Sequence, residues 1–142
     1  MRCEEVMTRE VECLNSTDTV ADAARRMSEL DVGFLPVCRP DGAPVGTLTD
    51  RDIVLRVVAH HRAYTTQVDE VMTPDVVSCR PDDDVTRAEQ LMRINQVSRI
   101  LCIDDDGQIG GVISLADISQ YEIETESGKL LADLKGSEAH MH

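Results

Sequence analysis

From Val20 to Leu30 the apolar positions Val20, Ala23, Ala24, Met27 and Leu30 recur at the three-and-four spacing of one helix face, behind the capping candidates Ser16 to Asp18. Before them "EVECLN" (10–15) reads as a short extended piece, so a strand leads into an amphipathic helix. Two β-rich runs, "FLPVCR" and "PVGTLT", then flank "PDGA", whose Asp-Gly pair favours a tight reversal between antiparallel strands. After that hairpin, "DRDIVLRVVAH" predicts a second helix with Ile53, Val54, Val57 and Val58 on one side. The order is β-α-β-β-α.

The same pattern occurs twice. Val6 to Val57 lies over Val71 to Glu122, 65 positions on, with no insertion anywhere. Val20 meets Val85, Met27 meets Met92, Asp41-Gly42 meets Asp106-Gly107, and Gly46 meets Gly111. One copy of about 55 residues has a three-stranded sheet with a single buried face and would be marginal alone, whereas two copies packed together can bury both sheets. The expected organisation is a first repeat over 1–62, a second over 63–124, and a C-terminal tail over 125–142. The linker Ala59 to Glu70 is polar and lacks periodicity, and in the tail Leu130, Leu131 and Leu134 suit a short helix that docks on the domain or a partner chain.

Composition narrows the picture. With aromatic residues at 2% the core must be built from aliphatic side chains and methionine. The net charge of −13, from 14 basic and 27 acidic side chains, argues against a nucleic-acid partner, which would need a basic surface. No apolar run approaches the ~20 residues that span a bilayer, so no membrane association is expected and the chain reads as cytoplasmic. Five cysteines, Cys3, Cys13, Cys38, Cys79 and Cys102, are scattered and never form C-x-x-C, which suits small buried hydrophobes better than a disulfide framework or zinc knuckle.

The chemistry sits where each hairpin hands over to a helix. Thr49 is followed three places on by Asp52, and Ser114 by Asp117. A capping box explains both pairs as fold maintenance worth ~1 kcal/mol. The same arrangement also offers backbone N–H groups and the positive end of the helix dipole to an anion, while a carboxylate in the first turn suits two vicinal hydroxyls such as those of a ribose. Arg51 lies inside the first cluster and Arg99 opens the strand "RILCI" of the second repeat, so each could neutralise a phosphate. The counterpart of Arg99 is Phe34, so the two sites cannot be chemically equal.

Taken together, the doubled "VMT…V…A…M…LPV…DG…VG…T…D…DI" pattern resembles a tandem cystathionine-β-synthase (CBS) domain pair, a stand-alone Bateman module, over about Val6 to Glu122. That resemblance implies an α/β (α+β) fold, with two β-α-β-β-α repeats packed sheet to sheet around a pseudo-twofold axis and two clefts between them. It implies a metabolic or energy-state sensor with no required cofactor, whose regulatory ligand is AMP, ADP, ATP or S-adenosylmethionine. Asp52 and Asp117 would bind ribose hydroxyls, Thr49 and Ser114 ribose or phosphate, and Arg51 and Arg99 phosphate. The adenine slots would be crossed: Thr8, Val11, Glu12 and Val32 serve the cleft of Ser114 and Asp117, and Thr73, Val76, Val77 and Val97 that of Thr49 and Asp52. The family also implies a homodimer that signals to a separate effector protein.

Three other readings compete. A ligand-free dimerisation scaffold needs only the caps. A metal- or redox-responsive module would use His60, His61, the terminal His140 and His142, and the cysteines, although adjacent histidines in a polar linker are usually solvated. Catalysis is not expected, because the chain holds no nucleophile elbow, P-loop or H-E-x-x-H.

Overall fold

The computed structural model describes the backbone of residues 1–140 and the side chains of residues 1–128. Two three-stranded sheets carry the fold. In the first, β1 (Leu14–Asn15) runs parallel to β2 (Phe34–Cys38), which pairs antiparallel with β3 (Pro44–Thr49). In the second, β4 (Ser78–Cys79), β5 (Arg99–Ile103) and β6 (Ile109–Ser114) repeat that order and those directions. α1 (Val20–Leu30) and α3 (Val85–Asn95) connect the first two strands of each sheet. α2 (Asp50–Ile53) and α4 (Leu115–His140) follow the hairpins, giving the mixed α/β fold with two β-α-β-β-α repeats.

Several local expectations need correction. The first extended piece pairs only at Leu14 and Asn15, because residues 10–12 line a cleft instead of a neighbouring strand. Thr19, not Ser16 to Asp18, caps α1: its hydroxyl accepts from Asp22 N at 3.1 Å, and Asp22 Oδ2 accepts from Thr19 N at 3.0 Å. Beyond α2 the helix widens into a π turn over Val54–Val58, with Ala59 N donating to Val54 O at 2.9 Å. Val57 is buried there, but Val54 and Val58 are 55% and 64% exposed. They lie roughly 100° further round the axis than Ile53 and Val57, off the face that meets the core. α4 runs without a break into the region expected to hold a separate tail helix. The side chains of Leu130, Leu131, Leu134 and His140, and all of His142, lie outside the described residues.

The linker is not wholly polar in its packing. It ends in a 3-10 turn, Val68–Glu70, whose Val68 is fully buried among Leu14, Val20, Leu35 and Leu48 of the first core. The chain's opening 3-10 turn, Cys3–Glu5, buries Cys3 in the second core instead, with Met7, Met92, Ile100 and Ile113. Each leading segment is stitched to the hairpin it covers: Thr8 and Val112 exchange N–H to O bonds of 2.8 and 2.9 Å, and Thr47 and Thr73 do so at 3.0 and 2.9 Å. Both cores therefore take residues from the two ends of the sequence repeat, and these crossings seat Thr8 and Val11 against the second hairpin.

Candidate functional site

A cleft of about 740 Å³ opens where α4 leaves β6. Its lining includes all seven residues expected there: Thr8, Val11, Glu12, Val32, Arg99, Ser114 and Asp117. β6 delivers Ser114 to the start of α4, and the Ser114 hydroxyl accepts from Asp117 N at 3.0 Å, which fixes the first helical turn. Ser114 is only 6% exposed. Asp117 lines the cleft, and among the described residues its carboxylate accepts no hydrogen bond and joins no ion pair.

The opposite wall comes from the first repeat. Leu30, Val32, Phe34 and Leu35 make it apolar, and Val11 adds to it from the leading segment. α1 ends there because Asp31 adopts the left-handed conformation, φ 54°, which turns the chain into β2. Around the rim stand Glu10, Glu12, Asp31 and Asp117, against Arg99 as the lining guanidinium. Glu12 is partly compensated by Arg26, 3.9 Å away. The cleft is thus apolar inside and net acidic at its edge, and the lining residues not anticipated from sequence include Glu10, Asp31 and Phe34, beside Leu30, Gly33, Leu35, Val112 and Ala116. Phe34 was legible as the offset partner of Arg99, while the carboxylates at 10 and 31 carried no motif.

The pseudo-symmetric side is built differently. Thr49 and Asp52 form a complete capping box, with Thr49 Oγ1 accepting from Asp52 N at 3.0 Å and Asp52 Oδ2 accepting from Thr49 N at 3.0 Å. Asp52 Oδ1 lies 3.7 Å from Arg56, whose other nitrogen donates to Val71 O at 2.9 Å and Thr73 Oγ1 at 3.4 Å. Arg56, not Arg51, is therefore the guanidinium beside Asp52, and it spans from there to Thr73. Arg51 is exposed, Val76 and Val77 are half-buried, and Val97 is 38% exposed. A cavity of about 420 Å³ beside Arg56 is lined by His60, Arg62, Glu70, Val71 and Met72 and contains none of the seven residues expected on this side. Arg56 has Tyr121 as its offset partner, so the second repeat has no equivalent bridge. The signal for it was an acid and a base at i and i+4 on one short helix.

Two β-α-β-β-α repeats that exchange leading segments around an open cleft at a helix start define a paired α/β module. The model of the CBS domain matches residues 3–59 and 68–124, and the chain belongs to the CBS domain family. It is 33% identical over 138 residues to the CBS domain-containing protein YhcV of Bacillus subtilis, covering 96% of this chain and 97% of that one. The CBS domain pair of MJ0100, solved with 5'-methylthioadenosine and S-adenosyl-L-methionine, superposes with a TM-score of 0.80 at 21% identity, covering 88% of this chain and 98% of that one. The CBS domain protein PAE2072 of Pyrobaculum aerophilum, solved with AMP, gives a TM-score of 0.76 at 24% identity over 82% of this chain and 89% of that one. Among the described residues no helix is long and apolar enough to cross a membrane.

Proposed function

We propose that this CBS pair is a non-enzymatic cytoplasmic sensor that binds one adenosyl compound, in the cleft of Ser114 and Asp117. The carrying observation is the unpartnered Asp117 carboxylate at the start of α4, facing an apolar wall across a space of ligand size. In this reading Asp117 accepts from the two ribose hydroxyls, Ser114 donates to the sugar or its 5' substituent, and Val11, Val32 and Phe34 enclose the base. Arg99 stands where a single phosphate or a carboxylate would need a cation. Four rim carboxylates against that one guanidinium favour a ligand of low negative charge, AMP or S-adenosylmethionine over ATP. The AMP and S-adenosylmethionine complexes of the structural relatives support the ligand class. On the other side the capping box and the Asp52 to Arg56 bridge favour a structural role for Thr49, Asp52 and Thr73, with no ligand assigned to Arg51, Val76, Val77 and Val97.

A thermal-shift series with AMP, ADP, ATP, S-adenosylmethionine and NAD tests this. AMP or S-adenosylmethionine at a hundred times its dissociation constant should stabilise the chain by about 2.7 kcal/mol, with ATP giving the smaller shift at equal concentration. Flat melting curves for every compound would leave the ligand-free scaffold as the better description.

The signal would pass through a homodimer to an effector protein. Val54, Leu55 and Val58 put an apolar strip on the outer side of the first repeat's second helix, at 55%, 47% and 64% exposure. Val58→Asp should convert a sedimenting dimer to monomer without loss of helix content. A dimer that survives this change would place the interface elsewhere.

A further inference from the structure

In the second core three thiols meet. Cys3 comes from the opening 3-10 turn, Cys79 from β4 and Cys102 from β5, at 0%, 5% and 0% exposure. Cys79 Sγ lies 3.7 Å from that of Cys3 and 3.6 Å from that of Cys102, and the three sulfurs all fall within 4.8 Å of one another. The first core shows what the fold itself asks for at these places. Sixty-five positions away, Cys3 corresponds to Val68, Cys79 to Leu14 and Cys102 to Val37, each a hydrocarbon at 0% exposure. Packing is thus satisfied by aliphatic side chains, and the second core has replaced all three members of one contact cluster with sulfur.

We propose that Cys3, Cys79 and Cys102 form a trigonal thiolate site for one soft monovalent metal ion, copper(I). An ion equidistant from three sulfurs with metal–sulfur bonds of ~2.3 Å holds them about 4 Å apart, close to the spacing found here. Thiolate donors select copper(I), zinc or iron–sulfur clusters. A structural zinc takes four ligands, and among the described residues this group offers three from His, Cys, Asp and Glu. The thioethers buried in the same core, those of Met7 and Met92, are soft and carry no charge. Burial, followed by the neighbouring Cys79, holds the Cys3 thiol up at about 12, so in the absence of metal it is a neutral group compatible with an apolar core. Coordination sends each ligand's proton to solvent and moves no electrons, so copper(I) affinity should rise with pH.

The test is an anaerobic titration of the full reduced chain with copper(I) against bathocuproine disulfonate, with X-ray absorption at the copper edge. The expected result is one tightly held copper per chain in a shell of three sulfurs at ~2.3 Å. Cys13→Ser/Cys38→Ser, which removes the two thiols outside the cluster, should retain that copper unchanged. Cys3→Val/Cys79→Leu/Cys102→Val, which installs the other repeat's hydrocarbons, should lose affinity by roughly 100-fold or more. Copper left on the chelator, a two-sulfur shell, or binding lost in the Cys13→Ser/Cys38→Ser chain would each overturn the site. If the triple variant does not fold, the wild-type shell and the Cys13→Ser/Cys38→Ser chain decide alone.

Discussion

Asp117→Ala should reduce adenosyl-ligand affinity by roughly 100-fold or more, measured by calorimetry. Two hydrogen bonds from sugar hydroxyls to an ionised carboxylate are worth about 1.5–3 kcal/mol each, and every 1.4 kcal/mol is tenfold. The fold should hardly notice, because the cap at this helix start is made by the Ser114 hydroxyl and the Asp117 backbone N–H, both of which survive. Asp52→Ala should do the reverse. Its carboxylate accepts from Thr49 N and lies beside Arg56, so its loss costs about 1 kcal/mol of stability and leaves binding within roughly twofold. Binding lost with Asp52 and kept without Asp117 would exchange the roles of the two sides.

Gly111→Val is expected to be the most destabilising single change on the cleft side. A Cβ at residue 111 would sit 2.7 Å from Thr8 O and 2.8 Å from Met7 Sδ. The methionine can move, but the carbonyl belongs to a segment held by bonds to Val112 in both directions. Overpacking of this kind costs about 1–3 kcal/mol, to which the lost bridge adds. Because the displaced segment carries Thr8 and Val11 into the cleft, ligand affinity should fall along with the urea midpoint. Gly46→Val is the control: its Cβ meets Thr73 O at 2.8 Å on the other side, so it should lower the midpoint without the same loss of affinity. Equal midpoints for Gly111→Val and the unaltered chain would show that the close approach does not matter.

Much of this was legible before any coordinates. The 65-residue offset, the Asp-Gly hairpins and the helical spacing of Val20, Ala23 and Met27 are local patterns, and local patterns survive in the fold. The seven residues expected on that side, Asp117 among them, line one cleft, to which the leading segment and the second hairpin both contribute. What escaped depended on partners distant in sequence. Val68 looks like one apolar residue in a polar linker, and its burial follows from lying against Leu14 and Leu48. The pair Cys3 and Val68 obeys the same offset, but a valine matched with a cysteine is a weak match by eye. Arg51 is nearer the motif in sequence, but Arg56, one turn beyond Asp52, lies on the same face of the helix. Val54 and Val58 directly follow the inward-facing Ile53 and Val57 in sequence, and one residue's rotation about the helix axis is enough to leave them exposed.

The exchange of leading segments also says where this molecule can be cut. Division between residues 62 and 63 takes Val68 and Val71 from one product and Cys3 and Met7 from the other, leaving each sheet open along one flank. A fragment spanning 9–73 keeps the whole of the first cluster instead. A circular permutant beginning at residue 74, with the old termini joined, makes both clusters contiguous in sequence, and its shorter loops should let it fold faster than the parent order.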